Sequence, residues 1–352
     1  MIALKDYRIV RPLGEGGESN LFLATKNGHQ FVVKLYKKDM EPSLDAIRKF
    51  VKISQHDYFV KLWDFGVDSS SGIFYEVQEY LEQGCLSDYV SSHLALSVPQ
   101  LLVLLRQMNE GIRILHENGL YFGDIKPQNI LLRSVEPFRI ALSDYGELTE
   151  IDGRHTKVHN FIGSPGFAAP EAHLAYLHPR SDYWSVGMVV YWLLTGKNPV
   201  LFYELDTFFK VIRNRSGELL PIPDQLPAQF TMLLKGLLTF DADRRWGYEE
   251  LDRFLAGAID IPVYHGSISL DLKLEMSWVH SEMTPKESYK WKKEGFMYAD
   301  ALAWKKAGFV FREAVEWHVE GFEPDSAKRL KEEGEDPKGA RLHYPIGIPP
   351  IA

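Results

Sequence analysis

The sequence predicts an α+β chain: a small β-rich lobe, a larger helical lobe, and an all-α appendage of short repeated helices. Three observations carry this expectation. Residues 7 to 36 alternate short apolar runs with turn chemistry, the pattern of antiparallel strands. Beyond Glu82-Gln-Gly84 the periodicity switches to helical, and the last of several helices ends near Ala258. In the tail, Trp278, Trp291, Trp304 and Trp317 recur every 13 residues, the mark of a repeat. A chain of 352 residues is long enough for two domains, or for one large domain with an appendage. The predicted boundaries are a main domain over 1–258, a linker over 259–276, repeats over 277–342 and a tail over 343–352.

The first strands are Tyr7-Arg-Ile-Val10, Leu21-Phe-Leu-Ala24 and Phe31-Val-Val-Lys-Leu-Tyr36, with Asn27-Gly28 closing the second hairpin. The first turn is Gly14-Glu-Gly-Gly17-Glu-Ser19, and a turn rich in glycine lets backbone amides approach phosphate oxygens without side-chain obstruction. Lys34 stands inside an apolar strand, where an unpaired ammonium is costly. A nucleotide phosphate would supply the anion it needs; the plainer alternative is an edge lysine whose head reaches water. A helix is predicted from Ser43 to about Ile53 with Leu44, Ile47, Phe50 and Val51 on one face, followed by strands near Phe59–Phe65 and Phe74–Leu81. Leu101 to Asn118 reads as a long helix ending at Asn118-Gly119.

That helix delivers the chain to Tyr121-Phe-Gly-Asp-Ile-Lys-Pro-Gln-Asn-Ile-Leu-Leu132. Within six residues stand a carboxylate (Asp124), an ammonium (Lys126) and a carboxamide (Asn129), with Pro127 stiffening the turn. The spacing suits phosphoryl transfer to a hydroxyl: a carboxylate to accept the proton, an ammonium to neutralise the moving phosphoryl, and an amide oxygen to hold magnesium. The strand Arg139–Ser143 then ends in Asp144-Tyr-Gly146, where an aspartate can chelate a metal bound between phosphates. Residues 147 to 162 are polar and aperiodic, which predicts a mobile loop. They precede Gly163-Ser-Pro-Gly-Phe-Ala-Ala-Pro-Glu171 and an apolar helix from Asp182 to Leu194 stopped by Thr195-Gly196.

In this order, the parts over residues 7 to 258 resemble the eukaryotic-type protein kinase family. The resemblance implies a bilobal protein-kinase fold, ATP and Mg2+ as cofactors, and protein substrates with a Ser or Thr acceptor. It makes Gly14, Gly16 and Gly17 the phosphate-covering loop, Lys34 the ATP lysine, and Glu79 to Leu81 the hinge beside adenine, with Gln78 behind it. Asp124 becomes the base, Lys126 the charge stabiliser, and Asn129 and Asp144 the metal ligands. Asp182 matches the residue that braces the catalytic loop, and Arg245 the partner of Glu171. Lys126, with Ser164 in a Gly-Ser-Pro segment, resembles the serine/threonine branch. Three positions depart from the pattern. Phe122-Gly123 replaces His-Arg before Asp124, and without that arginine a phosphate on the activation segment loses one to three charge-assisted bonds, so Thr149 and Thr156 are not expected to act as an on-switch. Tyr145 stands for a phenylalanine and brings a hydroxyl that needs a partner. Ile47 occupies the place of the helix glutamate that pairs the lysine. The competing reading is therefore a pseudokinase that scaffolds partners through its repeats. A small-molecule phosphotransferase is disfavoured by Lys126 and the Gly163–Glu171 segment.

Composition is that of a globular protein, 45% hydrophobic and 25% charged. The net charge of -8 argues against general nucleic-acid binding. The single cysteine, Cys85, rules out an internal disulfide, and no run of about 20 apolar residues is available to span a membrane. Met-Ile-Ala-Leu-Lys-Asp-Tyr has no apolar core of a secretion signal, so a cytoplasmic protein is expected. In the tail, Leu330 follows the four tryptophans, and Gly295, Gly308, Gly321 and Gly334 keep the same step. Thr284-Pro285, Glu323-Pro324 and Asp336-Pro337 read as helix starts. The row is expected to pack the large lobe, to dock a partner protein, or to cover the site.

Overall fold

The computed structural model describes residues 3–4, 6–38, 40–93, 95–151, 153, 156–158, 162–174, 176–196, 222–264, 290–291, 294, 296 and 298–343. The chain divides into two units, Met1–Ser267 and Ile268–Ala352. Among the described residues no helix is long and apolar enough to cross a membrane.

The first unit opens with a six-stranded antiparallel sheet made of β1 (Ala3–Leu4), β2 (Tyr7–Glu15), β3 (Ser19–Lys26), β4 (His29–Tyr36), β5 (Leu62–Val67) and β6 (Phe74–Glu79). The strand order is β1-β2-β3-β4-β6-β5. Asn27 and Gly28 both take positive φ, 52° and 81°, as a two-residue hairpin turn demands. The inward faces of β2 to β4 and β6 bury Tyr7, Ala24, Val33, Leu35, Tyr75 and Val77 in one cluster. In the pairing of β4 with β6, Val33 lies opposite Val77 and Lys34 opposite Glu76. The predicted strand at Phe59 begins later, at Leu62; Phe59 and Val60 are buried, and Phe59 only bridges Leu142. Tyr80 and Leu81 fall beyond β6 rather than within it.

Helix α1 (Leu44–Ile53) starts where Ser43 caps the amide of Ala46. Its buried face is Ala46, Ile47, Phe50 and Ile53, while Leu44 is 42% exposed. The apolar stripe is therefore rotated from the expected one, because Phe50 packs on Phe59 and Tyr145 with centroids 5.4 and 4.0 Å away.

The helical part begins with α2 (Leu86–His93) and α3 (Val98–Glu117). Ser97 and Gln100 form a complete capping box at the start of α3. The short strand β7 (Leu120–Tyr121) leads into the loop before the hairpin β8 (Ile130–Ser134) and β9 (Arg139–Leu142). The segment expected to be a mobile loop contains two ordered pairings among the described residues. Strand β10 (Thr149–Glu150) pairs with β7, and β11 (Thr156–Lys157) pairs with β12 (Tyr176–Leu177). These two-residue strands lack the length that periodicity needs to show.

Helix α4 (Ser181–Thr195) is buried from Ser181 through Tyr191 and ends in Gly196 at φ 66°, the left-handed cap its sequence predicts. It is followed by α5 (Ala228–Leu237) and α6 (Tyr248–Leu255). Between them Arg245 is fully buried and forks onto Glu171 with contacts of 2.6 and 3.0 Å, while Ser181 donates to the same carboxylate. Burial pushes the Glu171 carboxyl up, but the Arg245 charge and these bonds outweigh it and hold it below its ordinary value.

In the second unit, α7 (Tyr298–Lys306), α8 (Phe311–Val319), α9 (Pro324–Glu332) and α10 (Pro337–His343) follow in turn. Trp291, Phe296, Ala301, Trp304, Phe309, Ala314, Trp317, Phe322, Ala327, Leu330 and Ala340 share one buried cluster. Gly308, Gly321 and Gly334 all take φ near 90° after the helices. Trp278, Thr284-Pro285 and Gly295 lie outside the described residues.

Candidate active site

The loop after β7 is held from below by a single buried carboxylate. Asp182, at the start of α4, accepts the amides of Phe122 and Gly123 at 3.1 Å each, and His116 Nε2 lies 2.9 Å from it. Gly123 sits at φ 88°, and a Cβ there would fall 2.8 Å from Ile162 and 3.0 Å from the Glu147 carbonyl. Both backbone and neighbours therefore demand glycine, and no arginine side chain could occupy the position. The next residue, Asp124, is 8% exposed. Its Oδ2 accepts Lys126 Nζ at 2.8 Å and Asn129 Nδ2 at 2.9 Å, and Asn129 also bonds the Asp124 carbonyl. Asp124 Oδ1 is buried with no hydrogen-bond partner among the described residues. Lys126 reaches on to Ser164 Oγ at 2.7 Å.

The second cluster forms around β4. Lys34 is 3% exposed, and its Nζ lies 2.5 Å from Asp144 Oδ1. Burial draws this ammonium down, but the charges of Asp144 and Glu76 outweigh it and hold it above its ordinary value. Burial likewise pushes Asp144 up, and Lys34, assisted by Lys126, brings it below the usual carboxylate range. Asp144 takes φ 70°, a left-handed conformation that turns the chain as it leaves β9. The amide of Ser143 bonds the Asn129 carbonyl at 2.9 Å, which ties the two expected metal ligands through adjacent backbone. Tyr145 finds partners for its hydroxyl in the carbonyls of Val60 and Leu142.

The glycine-rich turn lies between β2 and β3, with Gly14 still paired to Leu21. A Cβ on Gly14 or Gly17 would meet nothing within 4 Å, so protein packing does not require glycine at either place. Glu18, from the same turn, approaches within 3.2 Å of a Cβ built on Gly146. Glu79 ends β6 with its carboxylate forked onto Arg133 at 2.7 and 3.0 Å, and its amide donates to the Lys61 carbonyl. Leu81 lies two residues on, outside the strand, and neither joins the charged clusters.

A magnesium ion suits this donor set. Among the described residues no group of three or more His, Cys, Asp or Glu is placed to hold a metal, so a complete protein cage is not on offer. Magnesium is commonly held by one or two protein oxygens together with phosphates and water. Asn129, its amide nitrogen committed to Asp124, keeps its oxygen for that purpose, and Asp144 supplies a carboxylate.

Sequence reasoning missed Glu76, His116 and the approach of Glu18 to Gly146. An acid lodged in the apolar run Phe74-Tyr-Glu-Val was the available signal for Glu76, since it mirrors Lys34 in a neighbouring strand.

An N-terminal antiparallel sheet joined to a helical lobe, with a lysine–aspartate pair and a braced polar loop between them, is the architecture of phosphoryl-transferring kinases. The chain belongs to the protein kinase family: the family described as protein kinase domain matches residues 7–253. It is similar to the serine/threonine protein kinase OSK3 of Oryza sativa subsp. indica, at 28% identity over 274 residues, covering 74% of this chain and 52% of the relative. The serine/threonine protein kinase OSK4 of Oryza sativa subsp. japonica matches with the same identity and coverage. The chain spans about half the length of the curated relatives it matches.

Two predictions follow from this geometry. Gly123 leaves no arginine to collect a phosphate, and Thr149 already donates to the Glu147 carbonyl at 3.0 Å. Replacing Thr149 and Thr156 together by alanine should leave any phosphotransfer rate within a few-fold, measured by initial rates; abolition would overturn this. Separately, burial, reinforced by Glu18 and Asp124, pushes the Glu147 carboxyl up to about 8 from an ordinary 4.5. Because the folded value lies above the unfolded one, its stabilisation is complete below about pH 4.5 and is lost as pH rises through about 8. The melting temperature of the parent chain should therefore fall more steeply across that interval than that of Glu147→Gln. Parallel curves would show that Glu147 ionises normally.

Proposed function

We propose that this chain is a serine/threonine protein kinase that transfers the γ-phosphoryl group of ATP to protein Ser or Thr hydroxyls with magnesium. One observation carries the reading: Asp124 has one oxygen fixed by Lys126 and Asn129 and the other buried without a donor. An acceptor held that way lacks only a hydroxyl, and a substrate alcohol would supply it. Asp124 Oδ1 orients the hydroxyl and takes its proton as the oxygen–phosphorus bond forms and the bond to the departing ADP breaks. Lys126, anchored on Asp124 and Ser164, neutralises charge on the moving group. Lys34 contacts the α- and β-phosphates, and the amides around Gly14, Gly16 and Gly17 cover them. The backbone from Glu79 to Leu81 receives the adenine. Magnesium, when bound through Asn129 and Asp144, screens the phosphate charge.

The short helices of the second unit support a further part of the proposal, a stacked repeat array that docks a substrate or partner protein or regulates the kinase domain. Helices α7, α8 and α9 each bury one large side chain, Trp304, Trp317 and Leu330, in the shared cluster and α10 only Ala340, too little for any of them to fold alone. The competing reading, a scaffold that binds partners without efficient transfer, rests on Ile47 in place of the helix glutamate.

Radiolabelled ATP with the purified chain separates these readings, using a generic basic protein and the chain itself as acceptors. Incorporation should fall by about 100-fold or more in Asp124→Asn, the range lost with a general base. Equal, negligible incorporation by both proteins would favour the scaffold.

A further inference from the structure

We propose that Glu76 is the positioning residue for Lys34, supplying from the sheet the carboxylate that helix α1 does not present. The inference rests on the reading of Lys34 as the nucleotide lysine. Helix α1 cannot serve. Ile47 is fully buried among apolar neighbours, and the helix's own acid Asp45 is exposed and bonded to Arg48 at 3.2 Å.

Glu76 is fully buried at the position of β6 directly opposite Lys34. Residues paired in this way project to the same side of an antiparallel sheet with Cβ atoms about 5 Å apart. Both carboxylate oxygens are fixed: Tyr36 Oη donates to Oε1 at 2.7 Å and Gln78 Nε2 to Oε2 at 2.6 Å. The same Tyr36 carries Lys34 Nζ over its ring, 4.5 Å from the centroid. Lys34 and Tyr36 are two residues apart on β4 and so share a face. The ammonium thus rests on a ring whose hydroxyl is polarised by Glu76, with the carboxylate itself across the strand pair. Burial holds the Glu76 carboxyl above its ordinary value, and the Lys34 charge with the two hydrogen bonds offsets only part of that rise.

Asp144, which with Glu18 also acts on Lys34, is 41% exposed in its side chain and follows the end of β9. It is also the residue proposed to hold metal. Whenever Asp144 turns from Lys34, a sheet-borne Glu76 keeps the ammonium compensated and in place. Because Glu76 belongs to the sheet, its place opposite Lys34 is set by strand pairing rather than by α1.

The test is a double-mutant cycle on the full chain with Glu76→Gln, Lys34→Met and the pair, read first as melting temperature without nucleotide. Each single change should lower it, and the double should lose clearly less than the two losses added, because removing one partner strands the other. A purely structural Glu76 gives additive losses, which would overturn the proposal. The second readout is steady-state kinetics of Glu76→Gln. The KM for ATP should rise about tenfold while the KM for the protein acceptor stays within about twofold. An unchanged KM for ATP would also overturn it. Should the parent chain show no thermal shift with ATP and magnesium, the nucleotide reading fails, while the nucleotide-free cycle still decides whether Glu76 and Lys34 form a pair.

Discussion

Burying the ammonium of Lys34 in an apolar sheet is the constraint on which the site depends. At 3% exposure the charge has lost almost all its water, and leaving it unpaired would cost several kcal/mol. The surrounding structure meets that demand from three directions. Asp144 comes from the end of β9, Glu76 from the adjoining strand, and the ring of Tyr36 from two residues along the same strand. A site with three sources of negative potential around one cation can lose one of them to a metal and still hold the cation. Phosphate oxygens entering beside Lys34 would meet an ammonium that is already oriented, with no further ordering of its long side chain.

A second buried carboxylate fixes the other half of the cleft. Asp182 stands on the first turn of α4 and receives two successive amides of the loop after β7, with His116 from α3 at its side. Two helices and the loop are thereby tied at one point, and Asp124 follows immediately. The glycine that this turn demands, Gly123, also leaves no side chain at that position to receive a phosphate. Docking of the segment after Asp144 rests instead on short backbone pairings, β10 on β7 and β11 on β12.

Much of this was legible in the residues. Strand alternation, the Asn27-Gly28 turn, the glycine after α4 and the spacing of Asp124, Lys126 and Asn129 are local signals, and local signals survive in a single sequence. What was not legible depends on register. Glu76 meets Lys34 only because β4 pairs with β6 across some forty residues, a non-local match that no window of sequence contains. The face of α1 was read correctly at Ile47 and Phe50 but not at Leu44 and Val51, where Ala46 and Ile53 are buried instead, for the same reason: Phe59 and Tyr145, both distant in the chain, pack on Phe50. In the tail the step of 13 was visible through tryptophan and glycine, whereas Ala301, Ala314, Ala327 and Ala340, which keep the same step and are all fully buried, went unread because alanine is common everywhere.

The most direct measurement is a crystal structure of the chain with magnesium and a non-hydrolysable ATP analogue. The account predicts phosphate oxygens within hydrogen-bond reach of Lys34 Nζ, metal density touching Asn129 and Asp144, and Glu76 still opposite Lys34 on the pair Tyr36 and Gln78. Nucleotide bound elsewhere, or a cleft that stays without it at saturating concentration while Lys34 keeps its contact with Asp144, would contradict it.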